Sequence, residues 1–147
     1  MTYKNPQSIL VVIYVKKTNL VLMLQRKDDP DFWQSVTGSI EKDETPKEAV
    51  IRELWEEVRL KISPNSTALF DCNESVEFEI FPHFRYKYAP NITHCREYWF
   101  LYAVEQEFEP QLTEHLAFKW VSAQEAIQLT KSPNNAAAIK KYLINKG

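Results

Sequence analysis

"GSIEKDETPKEAVIRELWEEVRL", Gly38 to Leu60, is the stretch on which the reading of this chain turns. Thr45-Pro46-Lys47-Glu48 spells a capping box with proline at the first helical position, so a helix starts at Pro46 and runs to about Val58. On a helical wheel Val50, Leu54, Ile51, Val58 and Trp55 gather on one side, which is expected to bury against a sheet. Glu53, Glu56 and Glu57 fall within about a 100° arc on the other side. Arg52 lies one turn before Glu56 and can pair with it.

A charged helix face is ordinarily just a solvated surface. A surface tuned for stability, however, places glutamate near the helix start and lysine or arginine near its end. Here Glu56 and Glu57 face the negative pole of the dipole, and Glu53 is their like-charged neighbour. Each such repulsion costs about 0.2–0.5 kcal/mol, and each dipole clash about 0.3–1 kcal/mol. Bound Mg²⁺ would compensate, because it takes oxygen ligands from a few carboxylates together with substrate phosphates. Gly38, the only glycine apart from the last residue, is expected in a turn where main chain and phosphate approach closely. The residues alone point to metal-assisted chemistry on a phosphate ester or anhydride.

Outward from this helix, "SILVVIYV" and "LVLMLQR" are apolar runs joined by "KKTN" and predict a hairpin. "FWQSVTGS" predicts one short strand ending in a turn at Gly38. Alternation over 67–88, "EYWFLYAV" and "AFKWV" predict further strands. Ser122-Ala123-Gln124-Glu125 looks like a second capping box, and Ser132-Pro133 opens a third helix through "AAAIKKYLI". Strands mixed with a few helices predict a sheet covered by helices, in the α/β or α+β class. With no repeat or linker, residues 1–147 read as one domain.

Composition narrows the function classes. A formal net charge of −2 leaves no basic footprint for nucleic acid. The longest apolar run is too short to span a bilayer. Cys72 and Cys95 lack metal-ligand or redox spacing, which suits reduced thiols in the cytoplasm. His83, His94 and His115 likewise lack a zinc-binding spacing. No helical face calls for obligate assembly, so a monomer is expected.

Gly38, five residues, Glu44, seven residues, then Arg52-Glu53-Leu54-Trp55-Glu56-Glu57, with Leu60 closing the pattern, resembles the Nudix box. One position departs: Arg59 stands where the box has its second glycine. The resemblance implies an α/β/α sandwich with a mixed sheet and hydrolysis of a nucleoside diphosphate linked to another moiety. It implies that Glu53, Glu56 and Glu57 ligate Mg²⁺ and that main-chain carbonyl near Thr37 and Gly38 assists; whether Mn²⁺ can replace Mg²⁺ is left open by the sequence. Arg52 would orient the glutamates and Glu44 would support the loop. "PDFWQSVTGSIE", "VEFEIF" and "TEHLAFKW" are similar to a branch of the family that removes pyrophosphate from a pterin triphosphate. That likeness implies substrate contacts from Lys4, Arg26, Thr37, the segment Phe78-Glu79-Ile80-Phe81, and Ser132, and a further metal ligand in Glu114. Ser132 as a plain helix cap, and the phenylalanines as plain core, are the competing readings. Two rival functions stay open at this point: cleavage of nucleoside triphosphates or dinucleoside polyphosphates, and a non-catalytic module that binds a phosphorylated metabolite.

Overall fold

The computed structural model describes residues 2–145. Its strands are β1 (Gln7–Val15), β2 (Val21–Arg26), β3 (Trp33–Gln34), β4 (Val36–Ser39), β5 (Leu69–Glu79), β6 (His94–Val104) and β7 (His115–Val121). Its helices are α1 (Pro46–Val58), α2 (Ala123–Leu129) and α3 (Pro133–Ile139), the last running on into a π-helical turn, Lys140–Ile144. A 3₁₀ segment, Pro82–Lys87, follows β5.

All seven strands form one mixed sheet, in which β1 and β6 are parallel and the other pairs antiparallel. β1 is continuous hydrophobic sequence because it is central and covered on both faces. Ile9, Val11 and Ile13 pack with Val50, Leu54 and Val58 of α1. Leu10 and Val12 pack with Ala126 of α2 and Ala138 and Ile139 of α3. Helices thus cover both faces, giving the expected α/β/α layering.

The predicted hairpin is more open than expected. β1 and β2 pair next to their turn, at Tyr14 and Val21, and then splay apart. Residues 33–39 fill the wedge as two strands rather than one: β3 pairs with β2, and β4 pairs with β1. Ser35, where the chain changes partner, has no strand bond for its N–H. Asn135 of α3 supplies the acceptor, its Oδ1 2.7 Å from the Ser35 nitrogen, and donates from Nδ2 to the Ser35 hydroxyl at 3.0 Å. A buried amide that lost its ladder partner is satisfied from another layer, as burial requires.

α1 carries both bonds of its capping box: Glu48 N–H to Thr45 Oγ1, 3.1 Å, and Thr45 N–H to Glu48 Oε1, 2.9 Å. The second box is only half formed. Ser122 Oγ accepts from Glu125 N–H, and no return bond is present among the described residues. Trp55, expected in the core, is 47% exposed and lies beneath the Arg59 guanidinium, 5.0 Å from it.

Candidate active site

The three glutamates do not all sit on the side of α1 away from the sheet, where the wheel placed them. Glu53 and Glu57 are buried, and only Glu56 of the three is exposed. On the wheel Glu53 and Glu57 border Val50, so seating the apolar stripe carries both carboxylates down onto the sheet wedge. Gly38 makes the room. It lies in β4, not in a turn, with no unusual backbone conformation. A Cβ there would sit 2.2 Å from Cδ of Glu53. The missing side chain serves the close approach of helix to strand.

Arg52 ties this cluster together. Its Nε and Nη2 donate to Glu44 at 2.8 and 2.9 Å, Nη1 to Glu53 at 2.5 Å and to Glu56 at 3.1 Å, and Nη2 also to the Ser39 carbonyl at 2.8 Å. The Arg52 hydrogen bond is the chief cause holding Glu44 below the ordinary carboxylate range, and Glu44 in turn chiefly raises Arg52. Glu44 Oε1 also accepts the Glu41 N–H, bracing the loop ahead of α1.

Arg52 does not fully compensate the acids behind it. Loss of solvent first, and the charge of Glu57 second, push Glu53 up to about 8. Among the described residues Glu57 Oε2 is buried without a hydrogen bond; His115 Nδ1 lies 3.0 Å away, poorly oriented for one, and is itself unpartnered there. Among the described residues no three acidic, His or Cys side chains already converge on one point. The donors are nonetheless of the right kind: a buried acid disfavoured by its neighbour's charge, an unpartnered carboxylate oxygen, and a glycine that opens the space beside them. Such all-oxygen donors, short of positive charge, suit a hard divalent cation.

Glu57 opens into a cavity of about 780 Å³, within the range of small-molecule sites. Lys4, Arg26, Thr37, Gly38, Phe78, Glu79, Ile80, Phe81, Glu114 and Ser132, far apart in sequence, all line it. Glu53, Glu56, Arg52 and Glu44 do not; they stand behind or beside its wall. Arg26 lies over the Phe84 ring at 4.2 Å and is chelated by Asp28 through two 2.7 Å bonds. Its Nη1 donates to Gln34, whose amide donates to Thr37 Oγ1, so strand β2 fixes the hydroxyl beside Gly38. Desolvation first, then the charges of Lys87 and Arg26, lower the Lys4 ammonium. Ser132 Oγ accepts the Asn135 N–H, so the helix cap anticipated for it is made.

The family model for the NUDIX domain matches residues 4–143. The chain belongs to the Nudix family. It is 77% identical over 145 residues to the dihydroneopterin triphosphate diphosphatase of Haemophilus influenzae, covering 99% of this chain and 92% of that one. It is 53% identical over 143 residues to the enzyme of the same name from Escherichia coli, covering 97% and 95%. The solved structure of the E. coli dihydroneopterin triphosphate pyrophosphohydrolase superposes with a TM-score of 0.95 over 99% of both chains. The Nudix family generally uses divalent metals.

The Nudix box departs from its pattern at Arg59, and the conformation there shows what the glycine is for. Arg59 caps α1 at φ 58°, ψ 36°, with its N–H bonded to the Trp55 carbonyl. That left-handed turn suits glycine and costs other residues roughly 1–2 kcal/mol. The arginine keeps the turn in spite of its Cβ. Sequence reasoning also passed over cavity residues outside the box. Phe84 and Lys87 come from the 3₁₀ segment, His115 from the start of β7 and Glu97 from mid-β6. Only Glu97 left a signal in the sequence, as an acid at the head of the otherwise apolar "EYWFLYAV".

Proposed function

We propose that this protein hydrolyses dihydroneopterin triphosphate to dihydroneopterin monophosphate and pyrophosphate, with Mg²⁺ as its metal. The observation that carries the reading is the cavity itself: it joins Glu57, a buried acid of the Nudix helix, a group of cations, and an aromatic recess in one space. The named relatives at 77% and 53% identity support the choice of substrate. No helix of the described residues is long and apolar enough to cross a membrane, and both cysteines are free thiols. We read the protein as a cytoplasmic monomer that binds a small molecule and not nucleic acid.

Glu53, Glu56, Glu57 and Glu114, with main-chain carbonyl near Thr37 and Gly38, would hold the metal. When bound, Mg²⁺ neutralises phosphate oxygens and makes water a better nucleophile at neutral pH. The residues of the chain do the rest. Arg52 sets the rotamers of Glu53 and Glu56 by its hydrogen bonds, so the acids are positioned before substrate arrives. Lys4, Arg26 and Lys87 attract the polyphosphate tail, and Arg26 can exchange Asp28 for phosphate as its bidentate partner. Water attacks phosphorus in line, the bond between the α- and β-phosphates breaks, and pyrophosphate leaves. The water's proton passes to a carboxylate of the same cluster, Glu53, Glu56 or Glu114.

The test is pyrophosphate release with Mg²⁺, comparing dihydroneopterin triphosphate with a panel of nucleoside triphosphates at equal concentration. The expected result is a kcat/KM for the pterin at least about tenfold above every nucleotide, a margin of about 1.4 kcal/mol. Preference for a nucleotide would retain the chemistry and overturn the substrate. No release from any of them would point to a binding module.

A further inference from the structure

Glu97 takes no part in the chemistry above, yet it is the most unusual carboxyl in the cavity. It is 5% exposed, in the middle of the sheet, and lines the cavity floor. Among the described residues no Lys, Arg or His pairs with it. Its partners are neutral donors: Trp99 Nε1–H donates to Oε1 at 3.2 Å, and the Asn134 side chain is the other. Removal from water pushes the carboxyl up to about 7, against the pull of those two donors. A carboxylate has room for about four donated hydrogen bonds. An acid kept dry with so few of them filled is expensive to maintain.

Its place in the sheet says what would complete it. Val76 is the registered neighbour of Glu97 and Phe78 that of Cys95, so Phe78 and Glu97 rise from the same face of adjacent strands. Ser39, Ser8 and Glu97 are register partners in a row across β4, β1 and β6, which sets Glu97 roughly 10 Å from the strand that carries Gly38. A flat ring against the Phe78 side, its edge toward Glu97, lies in the same cavity that Glu57 of α1 lines, so its phosphate-bearing chain stays in one space with that glutamate. The pyrimidine half of a pterin presents two adjacent donors on one edge, the ring N3–H and the 2-amino group. Guanine presents the same pair.

We infer that Glu97 is the residue that recognises the substrate's ring, accepting the ring N–H and the neighbouring amino group on its carboxylate. This rests on the proposed function for the identity of the ring, but not for the chemistry of the contact. Glu97 is a specificity-determining residue and touches no reacting atom. A base lacking the amino group leaves the buried acid short of a partner, and a site built to hydrogen-bond discriminates strongly against such an analogue.

Guanosine and inosine triphosphates differ only in that amino group, so they isolate the contact. Dissociation constants are measured by calorimetry in the presence of a chelator, for the wild-type protein and for Glu97→Gln. The wild type is expected to bind the guanosine compound about 10–100-fold more tightly, the scale of a charge-assisted hydrogen bond. Glu97→Gln should bring the two within about threefold by weakening guanosine triphosphate more than inosine triphosphate: both lose the charge on the acceptor of the ring N–H, but only guanosine triphosphate also loses the second contact. Equal affinities in the wild type overturn the inference without any variant, so it stays testable even if Glu97→Gln does not fold. A variant that weakens both nucleotides equally, leaving the preference for guanosine triphosphate in place, overturns the amino-group contact. The proposed function fails separately: if the pterin triphosphate is not the preferred substrate while the guanosine preference and its loss are as expected, the ring contact stands and the substrate changes.

Discussion

Glu53 and Glu97 are both buried carboxyls, 6% and 5% exposed, and loss of solvent pushes them up to about 8 and about 7. Their surroundings differ. Glu53 shares its site with Glu56 and Glu57, and the second cause of its shift is the charge of Glu57. Arg52 touches it, but divides its donors among Glu44, Glu56 and the Ser39 carbonyl as well. Among the described residues Glu97 has no charged partner and only neutral donors. The cluster behind one end of the cavity, which Glu57 reaches into, concentrates negative charge beyond what its arginine balances, an arrangement that calls for cations. The other end keeps a single acid among N–H groups, an arrangement that calls for further neutral donors.

The largest expected effect lies at the first end. Glu57→Gln should lower turnover by about 10²–10³, the scale of losing one strong electrostatic stabiliser. The metal-free variant should melt no lower than the wild type, because a buried like charge is gone. Near-normal turnover in steady-state assays would break the contrast between the two ends.

Gly38→Ala tests whether the burial of Glu53 depends on the missing side chain. The new Cβ would press on the Glu53 carboxyl, which Arg52 holds in place. Urea unfolding should show a loss of about 1–3 kcal/mol, typical of overpacking, together with at least a tenfold loss of turnover. Unchanged stability would mean that Glu53 swings aside at no cost.

The second end is read through pH. Glu97 is raised from 4.5 to about 7 in the folded protein. Between those values the native state holds a proton that the unfolded chain has released, so the Glu97 contribution to stability falls as pH rises from about 4.5 to about 7 and is gone above. Glu53, raised to about 8, extends the fall equally in wild type and variant. Melting temperatures in chelator should drop by several degrees over that window, and the wild type should drop more than Glu97→Gln. Parallel curves for the two proteins would show that Glu97 does not titrate there.

The smallest effect is at the helix exit, away from both ends. Arg59→Gly should relieve the left-handed turn and stabilise the fold by about 0.5–1 kcal/mol, with the lost stacking on Trp55 offsetting part of the gain. Turnover should not change. Destabilisation in a thermal melt would assign the arginine a packing role larger than its exposure suggests.

The local devices of this chain were legible in the sequence: the start of α1 from its capping box, the strands from their apolar runs, and the acids of the helix from their conflict with the dipole. The hairpin turn was also legible, but not the splaying of β1 from β2. That depends on residues 33–39 finding the wedge and on Asn135, a hundred positions away, satisfying Ser35. Trp55 was misjudged because the wheel gives angles and not the reach of the sheet. Lys4, Arg26, Phe78, Glu114 and Ser132 were named from resemblance, and no spacing in the chain would have brought them together.

By itself, then, the sequence determined which helix carries the acids, how it is capped and which chemistry those acids suit, because capping, periodicity and dipole are properties of neighbouring residues. Only the tertiary structure decided that two of the three glutamates are buried, that Gly38 yields its side-chain volume to one of them, and that Glu97 lies on the floor of the cavity. Desolvation is set by what packs against a group from other layers. A carboxylate's place in the sequence does not reveal whether water can reach it.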